Sequence, residues 1–178
     1  MDKPQKKSER LLSLYDWVEA AVFSLIVITL IFTFVFRIAR VDGTSMENTL
    51  VNNDRILLTN QDYAPARGDI VVIDRPGEVP LIKRVIAIAG DTVEIDENEN
   101  RVTVNGEVLS EPYIKGITVQ RDFEGVQTVP DGCVFVMGDN RSVSHDSRSS
   151  DIGFIEEDRI LGKGLFRIWP LSGIGLVH

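Results

Sequence analysis

The chain has 178 residues, room for one domain with an appendage, and its 19 basic and 27 acidic side chains give a net charge of −8. Residues 1–40 hold 6 of the basic and 4 of the acidic groups, so the remainder carries −10 and lacks the basic face that a nucleic-acid partner needs. A single cysteine, Cys133, excludes an intramolecular disulfide, and two histidines, His145 and His178, offer no pair at metal-ligand spacing.

Ala20 to Phe36 is an unbroken run of 17 uncharged, mostly apolar residues. As a helix it spans about 26 Å, close to a bilayer's hydrocarbon core. A cleaved signal peptide is the alternative, but the run is longer than its usual apolar core and no Ala-x-Ala pair follows. A single transmembrane anchor over 18–39 is expected, with Ile38 and Ala39 extending it if Arg37 snorkels. Lys3, Lys6, Lys7 and Arg10 precede it and Arg37 and Arg40 follow, which makes residues 1–17 a cytoplasmic tail and places 40–178 outside the cytoplasm. The lipid bilayer is thus an expected partner.

Val41-Asp42-Gly43-Thr44-Ser45-Met46-Glu47-Asn48-Thr49-Leu50 comes next, with Ser45 among small residues. Short strand-like runs then follow: 55–59, 69–74, 81–89, 92–95 and 101–104. Asn105-Gly106 is a favoured hairpin turn into 107–109. The 110–130 region, with Pro112, Gly116, Gly125 and Pro130, reads as an excursion, and about 96–130 as a small lobe. Strands are expected again at 134–137 and 160–169, with a helical turn near 155–159. The ectodomain reads as mainly β.

Asp96, Asn98, Asn100 and Glu107 fall at calcium-loop spacings, but Arg101 stands where the loop needs glycine, so a solvated hairpin is expected and no metal. Cys133 reads as a buried filler, and His145 as exposed and without an orienting partner.

A serine nucleophile needs a base. In Leu81-Ile82-Lys83-Arg84-Val85-Ile86-Ala87 a period of two puts Lys83 on a face with Leu81, Val85 and Ala87. Desolvation there would lower its pKa and leave an amine able to accept a proton near neutrality. Periodicity equally allows an edge-strand lysine whose head reaches water.

The anchor is followed in order by Gly43-Thr44-Ser45-Met46, Asp54-Arg55, Arg67-Gly68-Asp69-Ile70-Val71, Ile82-Lys83-Arg84-Val85-Ile86 with Gly90-Asp91, and Gly138-Asp139-Asn140-Arg141-Ser142-Val143-Ser144-His145-Asp146-Ser147-Arg148. In these motifs the chain resembles bacterial type I signal peptidase, in the short single-anchor form typical of Gram-positive bacteria. The resemblance implies a membrane-bound serine endopeptidase acting on preproteins with signal peptides, without a cofactor. It implies Ser45 as nucleophile, Lys83 as general base, Ser144 as the serine that orients the lysine amine, and the Ser45 backbone N–H as oxyanion donor. It also implies that Asp139, Arg141, Asp146 and Arg148 brace the site, as an ion-pair network more than as participants.

Three positions depart from the family pattern. Gly43 stands where some relatives carry an oxyanion hydroxyl, Asn48 where proline is usual, and Val143 where asparagine is usual. A membrane-anchored binding module or inactive homologue is therefore the rival reading, with a self-cleaving Ser/Lys repressor relative ranked below it.

Overall fold

In this computed structural model, residues 4–34, 37–59 and 63–177 are described, with side chains in the first segment described for 14–30. The chain divides into two units, residues 1–37 and 38–178. Helix α1 (Pro4–Phe34) dominates the first. Its Leu14, Trp17, Phe23, Leu25 and Leu30 side chains are all exposed. Among the described residues, no helix is long and apolar enough to cross a membrane. Parts of the expected tail and anchor, residues 1–3 and 35–36, lie outside the described residues. Ile38 and Ala39 do not extend the helix as expected, because Arg37–Arg40 is a strand, β1.

The second unit is mainly β. Its strands are β1, β2 (Arg55–Leu58), β3 (Ile70–Ile73), β4 (Leu81–Ile88), β5 (Thr92–Asp96), β6 (Arg101–Val104), β7 (Glu107–Val108), β8 (Gln127–Thr128), β9 (Cys133–Met137), β10 (Ile155–Glu156), β11 (Ile160–Trp169) and β12 (Gly175–Leu176). The large sheet runs β1-β2-β11-β3-β4-β9-β10, with β12 added to β11, and the small one runs β7-β6-β5-β8. The expected helical turn near 155–159 is a short strand followed by a 3-10 turn at Glu157–Arg159.

Strand β3 reads Ile-Val-Val-Ile without alternation because both of its faces are covered. Ile70 and Val72 join Met46, Leu50, Ile56 and Ile82 in one cluster, while Val71 and Ile73 join Val85, Val134 and Val136 in another. A third cluster lies between the sheets: Ile86, Ala87, Phe135 and Met137 pack with Val93, Ile95, Val102 and Val104. The small sheet, which begins at Thr92, thus shares a core with the large one.

The Asn105-Gly106 turn has positive φ at both residues, 53° and 80°, and pairs Val104 with Glu107, as a two-residue hairpin requires. At the suspected calcium loop, Asp96 Oδ1 accepts from the Asn98 and Glu99 N–H groups and the chain turns back into β6.

Strand β4 departs from strict alternation. Its pairing with β9 shifts register between Val85 and Ala87. Leu81 and Val85 pack in one cluster, whereas Ala87 belongs to the cluster between the sheets. The expected shared face of Lys83 therefore stops at Val85, since a bulge breaks the period of two.

Candidate active site

Ser45 lies in a tight turn between β1 and β2. The Glu47 N–H donates to Thr44 O at 3.2 Å, and both Thr49 and Leu50 N–H groups donate to Met46 O at 3.0 and 2.8 Å. Met46 and Leu50 are buried and anchor the turn in the core. Asp54, itself buried, accepts from the Val51 N–H at 3.0 Å and from Arg167 Nη1 at 3.0 Å, which ties the turn to β11. Asn140 holds the other side: its N–H donates to Ser45 O at 2.9 Å and its Nδ2 to Thr44 O at 3.1 Å.

Lys83 comes from the first half of β4, opposite Val71 of β3. It is 2 % exposed, and its Nζ donates to Ser45 Oγ at 2.8 Å. Burial pushes the amine down from its ordinary value to about 8; Asp146 opposes this, while the Arg148 and Arg75 charges add to it. Part of the population then holds a neutral amine near neutral pH, and more of it as pH rises. A neutral amine at this distance can take the hydroxyl proton. Among the described residues the Ser45 N–H donates to no other group, which leaves it available to an anion.

Ser144 is fully buried beside this pair. A side chain on Gly138 would meet both Ser144 Oγ, at 2.2 Å, and Ser45 O, at 2.5 Å, so glycine is what allows the two serine segments to converge. Among the described residues the Ser144 hydroxyl has no well-formed hydrogen bond, to Lys83 or otherwise, although Asp146 is close enough to feel it. An unpaired buried hydroxyl costs about 1–3 kcal/mol, which marks it as available for another partner.

The four bracing charges are all buried and lie in three ion pairs, only one of which joins two of the four. Arg148 grips Asp146 through Nε at 2.8 Å and Nη2 at 2.9 Å, and Gly138 N–H adds a bond to Asp146 at 3.0 Å. Burial alone would raise the Asp146 carboxyl, but these bonds and the Arg148 charge hold it below the usual range. The side chains of Asp139 and Arg141 are not partners of each other, although the Arg141 N–H donates to Asp139 O at 3.1 Å. Asp139 takes Arg84 through Nε at 2.8 Å and Nη2 at 2.7 Å, and Arg141 takes Glu111.

Arg84, Glu111, Thr49 and Asn140 are site residues to which sequence reasoning gave no role. Thr49 Oγ1 donates to Asp139, and the Arg84 guanidinium lies 3.9 Å over the Tyr113 ring. A signal for Arg84 was present: a second cation on a buried strand demands a carboxylate nearby. His145 is exposed as expected, but it does have a partner, with Nε2 2.7 Å from Asp151. Cys133 is only partly buried, at the margin of the core between the sheets.

The departures also have places. Asn48 has φ +91°, a left-handed conformation closed to proline, and its Nδ2 donates to Ile114 O at 2.9 Å. The Val143 side chain points outward and is exposed.

The model of the signal peptidase family, peptidase S26, matches residues 14–169 of the chain. The chain belongs to this family. A signal peptidase I of Bacillus licheniformis is 36 % identical over 183 residues, covering 96 % of each chain. Signal peptidase I T of Bacillus subtilis is 35 % identical over 170 residues, covering 88 % of this chain and 86 % of its own. A crystal structure of a signal peptidase I from Enterococcus faecalis matches with 30 % identity and a TM-score of 0.46, covering 57 % of this chain and 97 % of that one. Members of the signal peptidase family are serine endopeptidases that remove signal peptides from preproteins.

Proposed function

We propose that this signal peptidase cleaves preproteins by attack of Ser45 Oγ, with Lys83 as general base. The observation that carries the reading is the buried Lys83 amine, with a pKa lowered to about 8, at 2.8 Å from Ser45 Oγ. Lys83 takes the hydroxyl proton as Oγ adds to the scissile carbonyl, and the Ser45 N–H receives the oxyanion. The C–N bond then breaks, the proton passes from Lys83 to the leaving amine, and an ester to Ser45 remains. Water attacks that ester, Lys83 takes its proton, and the proton returns to Oγ. Once Oγ is acylated, the amine needs another partner, and the unpaired Ser144 hydroxyl is the group to hold it. Asp139, Arg141, Asp146 and Arg148 stay outside the proton transfers and keep the loop of Ser144 against the turn of Ser45.

The substrate reaches the pair in extended form. Leu81–Lys83 pair with β3, but pairing with β9 starts only at Arg84, so one edge of these residues is open. Strand β1 ends the large sheet and offers a second edge. A peptide that adds to these edges presents alternate side chains to the enzyme.

Helix α1 is the membrane anchor in this reading, with the N-terminus cytoplasmic and the β unit outside. The basic residues before the apolar run support that orientation, and Ser45 lies nine positions beyond Phe36, at most about 30 Å of chain. Cleavage then takes place near the bilayer surface, where a preprotein's cleavage site emerges.

Wild type, Ser45→Ala and Lys83→Ala proteins incubated with a preprotein test the assignment. Processing by wild type alone is expected. Equal processing by all three would remove Ser45 and Lys83 from the mechanism, and none by wild type would leave a protein that binds without cutting.

A further inference from the structure

Beside the catalytic pair lies a groove of about 450 Å³, lined among others by Asp42, Gly43, Arg75, Glu78, Val79 and Leu81. Two of its walls lead directly to the reacting groups. Asp42 and Gly43 precede Ser45 in the chain, and the wall of residues 78–81 runs into the open edge that ends at Lys83. A peptide lying along that edge passes the groove.

The chemistry of the groove is uneven. Arg75 is neutralised by its ion pair with Glu78. Asp42 is exposed and, among the described residues, makes no hydrogen bond or ion pair, so its carboxylate is the uncompensated charge. Val79 is 62 % exposed and Leu81 half-buried, which gives the groove an apolar flank. An apolar flank ending at a free carboxylate suits a side chain with an aliphatic stem and a cationic head.

Given the peptidase reading of Ser45 and Lys83, on which this rests, we infer that the groove takes a lysine or arginine side chain of the substrate, with Asp42 as its counter-charge. Asp42 is then a specificity-determining residue for signal-peptide cleavage. It takes no part in the proton transfers.

The test uses the full chain in detergent and peptides that span a cleavage site, with lysine or glutamate placed at each position flanking the cut in turn. The readout is the ratio of kcat/KM for the lysine and glutamate peptides within each enzyme, so a general loss of activity cancels. In wild type the lysine peptide is favoured about threefold to tenfold at one position, as expected for an exposed charge pair. High salt shrinks that ratio. Asp42→Asn brings it close to one, and Asp42→Lys inverts it.

A flat ratio at every position in wild type overturns the inference, as does a preference that survives unchanged in Asp42→Lys. Both results leave the peptidase reading intact. Failure of wild type to cleave any of these peptides or a preprotein would overturn both.

Discussion

In the proposed reaction Lys83 carries the chemical burden, and the source of its lowered pKa is also the source of the expected pH dependence. The first cause is burial, which penalises the ammonium; the nearby Asp146 carboxylate opposes it and the Arg148 guanidinium reinforces it. The proposed mechanism requires the neutral amine, so kcat/KM should rise with pH, steeply below about 8 and levelling above it. A pH profile of peptide cleavage checks this: a limb centred near the ordinary lysine value would mean a solvated amine. The same shift acts on stability with a definite sign. A base whose folded pKa lies below its unfolded one weakens the fold while protonated, fully below about 8, and that penalty fades as pH rises towards the unfolded value. The site therefore holds a strained charge at neutral pH, sustained by the surrounding core.

Strand β4 is the element on which the two functional segments meet. Lys83 faces Ser45, while the next residue, Arg84, takes Asp139 and reaches Thr49 Oγ1 at 3.3 Å. Successive residues of one strand thus hold the turn of Ser45 and the segment after β9, because adjacent side chains leave a strand on opposite faces. The segment after β9 must come very close to that turn, and Gly138 is where it does. Gly138→Ala places a methyl group against Ser45 O and Ser144 Oγ. It should cost about 1–3 kcal/mol of stability, measured by denaturant unfolding. It should also lower kcat/KM about a hundredfold, the usual loss when a reacting group moves by about 1 Å. Near wild-type cleavage by Gly138→Ala would show that the two serine segments need no such approach.

At the scale of the molecule, the β unit of residues 38–178 contains all three apolar clusters and every residue of the proposed chemistry. Each of those clusters is built from residues of this unit. A protein lacking residues 1–37 should therefore fold, with a melting temperature within a few degrees of the full chain, and should no longer float with lipid vesicles. Circular dichroism and flotation measure the two halves of that expectation; vesicle binding equal to that of the full chain would take the anchor role from α1. The small sheet melts together with the large one in this view, since both contribute to the core between them.

Local pattern was enough for much of this. The Asn105-Gly106 hairpin, the strand runs and the apolar N-terminal segment follow from turn chemistry and periodicity, which act over a few residues. Ser45 and Lys83 stood out by residue type, the one among small neighbours and the other in an apolar strand. Their separation of 38 positions in the chain left their distance in space open, and only the pairing of β3 with β4 and the packing of Met46 and Leu50 bring them to 2.8 Å. The partners of Asp139 and Arg141 were likewise beyond reach, because Arg84 and Glu111 lie 55 and 30 residues away in the chain and a charge pair depends on distance in space alone. Even whether Lys83 and Ala87 share a face was settled by tertiary structure, and they do not, since a bulge shifts the period once β9 lies alongside. Sequence singled out the candidate groups; long-range packing put one dry amine beside one hydroxyl.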